Sequence, residues 1–263
     1  MTKSSDKNLY IKDSQFYDLD NRDILKADIS FYLDYASRIK GDILELACGT
    51  GRITIPLAEA DHKIWGLEFS QQMLEQFKNK LINLPKKTKN NIHLIHGDMS
   101  NFSINRNFPL ILLPCRSFQL LYEEKKENAC LRSIYKHLDD NGHFIIDIGD
   151  FVGDIENDWV NEEEVFDWEN IDPKTGYTVK RTHIKKEIDT VRRIIYPQKN
   201  FYISKDGVEI DKIVKRSPWK YFTSNQIRKL LSSNGFKIIK EMGYYDGKPL
   251  GKGSEFIFIC KRK

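Results

Sequence analysis

Residues 42–52 read DILELACGTGR, an apolar run that breaks into two glycines one residue apart. This is the pattern of a buried parallel strand that turns sharply over a ligand. In an open α/β sheet, ligands sit beyond the carboxyl ends of the central strands. Gly49 and Gly51 stand at that end, and glycine lets a backbone approach a bound molecule without a Cβ in the way. Glu45 lies inside the apolar run. A carboxylate buried there without a partner is costly, so it is expected to meet a hydrogen-bond donor or a cationic ligand.

The loop narrows the ligand. It lacks Gly-x-x-x-x-Gly-Lys-Ser/Thr, and with it the backbone cradle and lysine that a nucleoside triphosphate requires. It also lacks the third glycine of the dinucleotide pattern, because Arg52 and Ile53 stand where that pattern would continue. A sulfonium cofactor with an amino group fits the acid and glycines that remain.

Outward from this stretch the pattern alternates. Strands are predicted at 42–47, 63–68, 92–96, 109–113 and 143–148, with helices at 52–60, 70–83 and 123–138. Such alternation implies a mostly parallel sheet with helices on both faces. Residues 15–40 read as one helix, with Ile24, Ile29, Leu33 and Ala36 at helical spacing. From Val165 to Trp219 the period becomes that of strands, separated by the turn sequences DPKTG, DT and KDG. Thr223 then caps a last helix that Gly235 ends, and FKIIKEMGYY and EFIFICKR form a closing hairpin. The expected fold is α/β, a Rossmann-like seven-stranded sheet with a small antiparallel β subdomain inserted before the last helix. The expected division is 1–40 for an N-terminal helical lid, 41–150 for the ligand-binding core, 151–220 for the insertion and 221–263 for the final helix and hairpin.

Four segments in order carry a family resemblance: ELACGTGR, WGLEFSQQML (Trp65 to Leu74), HGDM with Asp98, and FPLILLPCRSF (Phe108 to Phe118). Together the chain resembles a class I S-adenosylmethionine-dependent methyltransferase. The resemblance implies S-adenosyl-L-methionine as cofactor. Its methionine end is expected on Glu45, Ala47, Gly49 and Gly51, with Arg52 facing the carboxylate. Its ribose is expected on Glu68, beside Phe69 and Met73, its adenine on Asp98 and Met99, and Pro114 beside the transferred methyl. Read alone, Glu68 has the alternative reading of a helix-start acid before Ser70, and Asp98 that of a turn residue. The resemblance also makes residues 15–40 a lid over the cofactor and Tyr17 a catalytic-side residue, although Tyr17 also reads as a plain core tyrosine. The inserted sheet is similar to that of small-molecule methyltransferases acting on amino sugars, where it roofs the acceptor pocket and can build a dimer. Bracing of the core is the alternative.

Methyl transfer asks mainly for alignment of nucleophile and methyl. Relatives commonly carry an asparagine and a histidine in the segment after the fourth motif, whereas Arg116 and Leu120 stand here. Arg116 is the candidate catalytic residue of that segment, placed to hold an anionic group of the acceptor. The acids after Asp147 and Asp150 would attract a cationic one. The acceptor is expected to be a small molecule methylated on nitrogen or oxygen. An RNA methyltransferase, or a protein that binds the cofactor without turnover, stays open.

Composition sets further bounds. At 263 residues and 40% apolar content the chain is long enough for one α/β core plus an insertion. No run of eighteen apolar residues and no basic-then-apolar leader is present, so a cytoplasmic protein with no membrane partner is expected. Cys48, Cys115, Cys130 and Cys260 are scattered, with no metal spacing, and no metal is expected. Residues 150–172 hold ten acids and no lysine or arginine, while the chain from Lys205 onward holds fourteen basic residues against six acidic. Those lysines alternate with apolar residues, which favours a solvated face over nucleic acid. A homodimer through the inserted sheet is compatible with this reading.

Overall fold

The computed structural model describes residues 13–22, 24–151, 153, 155 and 159–263. A seven-stranded sheet is assembled from β1 (Ile43–Leu46), β2 (Ile64–Glu68), β3 (Ile92–His96), β4 (Phe108–Leu113), β5 (Leu138–Gly149), β11 (Phe236–Met242) and β12 (Glu255–Arg262). Their order is β11-β12-β5-β4-β1-β2-β3. β1, β2, β3, β4 and β5 pair in parallel, and β12 runs antiparallel to both β5 and β11. The chain walks one way from β1 to β3 and the other way from β4 to β5. The switch point, where a crevice opens, therefore lies between β1 and β4.

All four residues of β1 are buried, as expected of a strand covered on both faces. Side chains alternate between the faces. Leu110 and Leu112 pack with Ile43 under α1 (Ile24–Ala36) and α2 (Thr54–Glu59). Ile111 and Leu113 pack with Leu44 and Leu46 under α5 (Glu124–His137) and α6 (Ser224–Ser233). The same alternation turns Glu45 and Asp147 toward α1 and α2, a placement that matters below. α3 (Gln71–Ile82) begins on Ser70, whose hydroxyl caps the Met73 N–H. α6 begins on a full capping box between Thr223 and Gln226.

The helix predicted over 15–40 is two elements, a 3-10 helix at Ser14–Leu19 and α1. The break falls at Asp20, which is extended and accepts from the Arg22 guanidinium. Residues 1–12 and 23, and the side chains of Ile24 and Leu25, lie outside the described residues. A five-residue α4 (Lys86–Asn90) after Pro85 carried too little periodicity to be predicted. β5 starts at Leu138, earlier than expected.

The insertion is a separate antiparallel sheet of β6 (Asn161–Ile171), β7 (Thr178–Asp189), β8 (Ile194–Lys205), β9 (Val208–Arg216) and the two-residue β10 (Trp219–Lys220). β10 pairs with β8 on the edge opposite β6. Phe16 packs into this sheet with Trp168, Val179, Phe201 and Ile203, so the N-terminal segment is held by the insertion. Buried Gln119 ties the core to β10: its amide donates to the Lys220 carbonyl at 2.9 Å and its oxygen accepts from Gly149 N–H at 2.7 Å. Beside it, Lys220 pairs with Glu127 of α5 in a buried ion pair. Among the described residues no helix is long and apolar enough to cross a membrane.

Candidate active site

Two strained loops face each other across the switch point. After β1, Ala47, Gly49 and Gly51 all take positive φ, at 55°, 58° and 85°. After β4, Cys115 and Arg116 do the same at 58° and 60°. Consecutive non-glycine residues in the left-handed region are costly and need support from outside. Asp147 supplies it. Its carboxylate accepts from the Arg116 N–H at 2.6 Å, the Cys115 N–H at 3.1 Å, the Tyr32 hydroxyl at 2.7 Å and the Tyr245 hydroxyl at 2.8 Å. Asp147 is wholly buried. Burial raises its pKa, a shift that the Arg116 N–H and the two hydroxyls oppose. It is therefore the brace of the β4 loop, whereas the acids expected to attract a cation follow it in the chain. An acid within the apolar run FIIDIG was the available signal, the same one that marks Glu45. The rest of the acidic stretch lies partly outside the described residues, at Asp154, Glu156 and Asp158.

Between the loops opens a cavity of about 320 Å³. On its core side it is lined by Ala47, Gly49, Glu68, Phe69 and Met73, with Asp98 and Met99 beyond them. The Glu68 carboxylate accepts from the Gly49 N–H at 3.0 Å and the Ser70 N–H at 2.7 Å. Burial raises its pKa, and these two N–H groups counter the rise. A carboxylate has about four acceptor positions, so two bonds leave others for a ligand. Asp98 folds back on Ser100, accepting from its N–H at 2.8 Å and its hydroxyl at 2.7 Å, while still lining the wall. The helix-start and turn readings of these two acids and their place on the wall hold together.

Four expected cofactor residues, Glu45, Gly51, Arg52 and Pro114, are not on the wall. Glu45 faces α2 and accepts from the Thr54 hydroxyl at 2.5 Å, with burial lifting its pKa to about 8. Its expected donor is thus a neighbouring threonine. Gly51 is small for a different reason than supposed: a Cβ there would fall 2.3 Å from the Phe77 ring of α3. Arg52 forms a two-pronged pair with Asp28 of α1, at 2.7 and 2.5 Å, instead of offering its guanidinium to a ligand carboxylate. Asp28 itself lines the cavity.

On the far side the cavity is lined by the N-terminal segment, the β4 loop and the inserted sheet. Tyr17 and Arg116 both line it, as do Leu120, Tyr245, Lys199 and Trp219. No histidine is among the described lining residues. Arg116 does not present a free charge, since its guanidinium pairs with buried Glu255, through Nε at 3.1 Å and through Nη2. Burial lifts the Glu255 pKa to about 7 despite that pair. The N-terminal segment is fastened at both ends. Asp18 accepts from the Thr50 hydroxyl of the glycine loop at 2.6 Å, and Asp20 and Asp13 bind Arg181 and Lys215 of the inserted sheet at 3.0 and 2.6 Å. Sequence reasoning missed Asp28, Tyr245, Lys199 and Glu255, which come from four distant elements that only the topology brings together.

Residues 43–142 match a family described as a methyltransferase domain. The cypemycin N-terminal methyltransferase of a Streptomyces species is 26% identical over 108 residues, 41% of this chain and 42% of that protein. The dTDP-3-amino-3,4,6-trideoxy-alpha-D-glucopyranose N,N-dimethyltransferase of Streptomyces venezuelae is 23% identical over 212 residues, 80% of each chain. In three dimensions the CcbJ methyltransferase of Streptomyces caelestis superposes with a TM-score of 0.81 at 14% identity, covering 97% of this chain and 98% of that one. The chain spans about two fifths of the length of the first curated relatives that it matches. The Rossmann-like fold with an added antiparallel sheet is thus shared over nearly the whole chain, while the family match falls on residues 43–142 of the core.

Proposed function

We propose that this protein transfers a methyl group from S-adenosyl-L-methionine to a nitrogen of a small-molecule acceptor. The observation that carries the reading is the cavity at the β1/β4 switch point, with the glycine loop and Glu68 on one wall and the N-terminal segment and inserted sheet on the other. The residues present fit the cofactor. Ala47 and Gly49 expose a left-handed backbone to the cavity, and Glu68 keeps acceptor positions for two sugar hydroxyls. Asp98 and Met99 would border the adenine, and Phe69 and Met73 would flank the nucleoside. When bound, the cofactor supplies an electrophilic methyl and its own leaving group.

The chain's part is alignment and exclusion of water. Tyr17, at the centre of the N-terminal segment, borders the space between the two walls. Nitrogen is favoured over oxygen because the carboxylates on the far side of the wall, away from the proposed nucleoside, are engaged, Asp28 by Arg52, Asp20 by Arg22 and Arg181, Asp13 by Lys215 and Glu255 by Arg116. An alcohol needs a general base within hydrogen-bond reach. A neutral amine needs only to be held in line. Support also comes from the relatives, named as a cypemycin N-terminal methyltransferase and an N,N-dimethyltransferase of a dTDP-amino sugar. Calorimetry with S-adenosylmethionine and, separately, NAD tests the cofactor. Methyl transfer to a panel of amines and matched alcohols tests the acceptor atom. Binding of NAD alone, or transfer confined to alcohols, would overturn the corresponding half of the proposal.

A further inference from the structure

Six acids line the cavity, Asp13, Asp20, Asp28, Glu68, Asp98 and Glu255, yet around Lys199 the charges do not cancel. Five basic residues line the cavity, Arg22, Arg116, Lys126, Arg181 and Lys199. Arg116 is bound by Glu255, and Arg22 and Arg181 are bound by Asp20 and Asp167. Among the described residues, Lys126 and Lys199 have no acidic partner in an ion pair. Lys199 lies on β8, in register with His183 of β7 and Lys215 of β9, and its ammonium sits 5.4 Å from the centre of the Trp219 ring. The groups around it are mostly cationic. Arg181 and Lys215 repel its charge, and the acids that face it, Asp13 and Asp167, are already held by Lys215 and by Arg181 and His183. The protein has thus placed a lysine in a half-buried cavity wall with an aromatic face beside it and no carboxylate to neutralise it.

Resting on the methyltransferase reading above, we propose that the acceptor carries an anionic group, phosphoryl or carboxylate, and that Lys199 receives it. This relocates the anion site that the sequence assigned to Arg116, whose guanidinium is taken. An anion also resolves the electrostatics of the wall. Burial first, and then Arg181 and Lys215, lower the Lys199 pKa to about 7 in the free protein. A bound anion favours the ammonium and raises that value, so binding takes up a proton above neutrality. Charge-assisted hydrogen bonds of this kind are roughly twice as strong as neutral ones.

The test uses the whole chain saturated with S-adenosylhomocysteine and titrated calorimetrically with pyrophosphate in one arm and malonate in the other. Wild-type protein is expected to bind at least one of them, and the arm that binds identifies the anion as phosphoryl or carboxylate. Lys199→Met should weaken that binding by about tenfold or more, the loss expected for a charged hydrogen bond. Lys199→Arg should keep most of it, and cofactor affinity should stay as in the wild type for both variants. At pH 8 the wild type should take up close to about one proton per anion, read from the dependence of the heat on buffer ionisation. Failure of both anions to bind, or equal affinity in Lys199→Met, overturns the proposal while cofactor binding still stands. If Lys199→Met does not fold, absence of proton uptake by the wild type overturns it. Failure to bind the cofactor at all refutes instead the methyltransferase reading on which the proposal rests.

Discussion

Replacing Gly51 by alanine separates two explanations of the glycine loop. If the second glycine exists to let a ligand approach, Gly51→Ala should spare the stability of the ligand-free protein and abolish cofactor binding. The structure argues the reverse. The added Cβ would fall 2.3 Å from Phe77 Cζ and 2.4 Å from Cε2, on a ring that is itself wholly buried. Its φ of 85° adds strain for any residue with a side chain, about 1–2 kcal/mol. Forcing the ring aside in a packed core adds about 1–3 kcal/mol. The expected loss is therefore about 2–5 kcal/mol without any ligand, measured as a shift of the urea midpoint at constant slope. A second substitution sharpens the test. Phe77→Leu shortens the ring side chain, so the double variant should recover at least about 1 kcal/mol relative to the sum of the single changes. Additive single effects, or a Gly51→Ala protein as stable as the wild type, would refute the packing account and return Gly51 to the ligand.

Three further outcomes follow from the site. Asp147→Asn replaces one of two carboxylate oxygens by a donor, which leaves a buried backbone N–H or hydroxyl without an acceptor; a loss of about 1–3 kcal/mol is expected by chemical denaturation, together with weakened acceptor turnover as the Cys115–Arg116 turn relaxes. Glu68→Ala removes an acceptor that also fastens Gly49 and Ser70, and cofactor affinity measured by calorimetry should fall by about a hundredfold or more, with unchanged affinity refuting the ribose assignment. Glu45 has its pKa raised by burial to about 8, against 4.5 when unfolded, so the folded state holds its proton more tightly and wild-type stability declines as pH rises from about 4.5 to about 8. Glu45→Gln has no such proton to lose. The difference in urea midpoint between the two proteins, followed from pH 5 to pH 8, should move steadily in favour of the variant.

The strands and helices of the core were legible because each carries its own periodicity. The run at 42–52, the acid at Glu68 and the cap at Ser70 are local signals, and all three are where the sequence placed them. What was not legible is which way a charged side chain turns and what it meets. Glu45, Arg52 and Arg116 all read as ligand contacts, and each is instead joined to a residue 9, 24 or 139 positions away. No periodicity encodes such a partner. Face alternation in β1 does encode the direction of Glu45, since Leu44 and Leu46 face α5 and α6 and leave it the side of α2. Read with that alternation, the acid could have been assigned to Thr54 from sequence once the helix was predicted.

The tie between core and inserted sheet has a consequence for engineering. Gln119 bonds a β10 carbonyl and the end of β5 at once, and Lys220 of β10 buries its charge on Glu127 of α5. Transplanting the insertion into a related scaffold, or receiving one from it, would strand Glu127 or Lys220 as a lone charge in a dry interior, at a cost of about 3–5 kcal/mol. A workable chimera must therefore exchange Gln119, Glu127 and Lys220 as one set, so that the crossover points are set by these three side chains rather than by the ends of the strands.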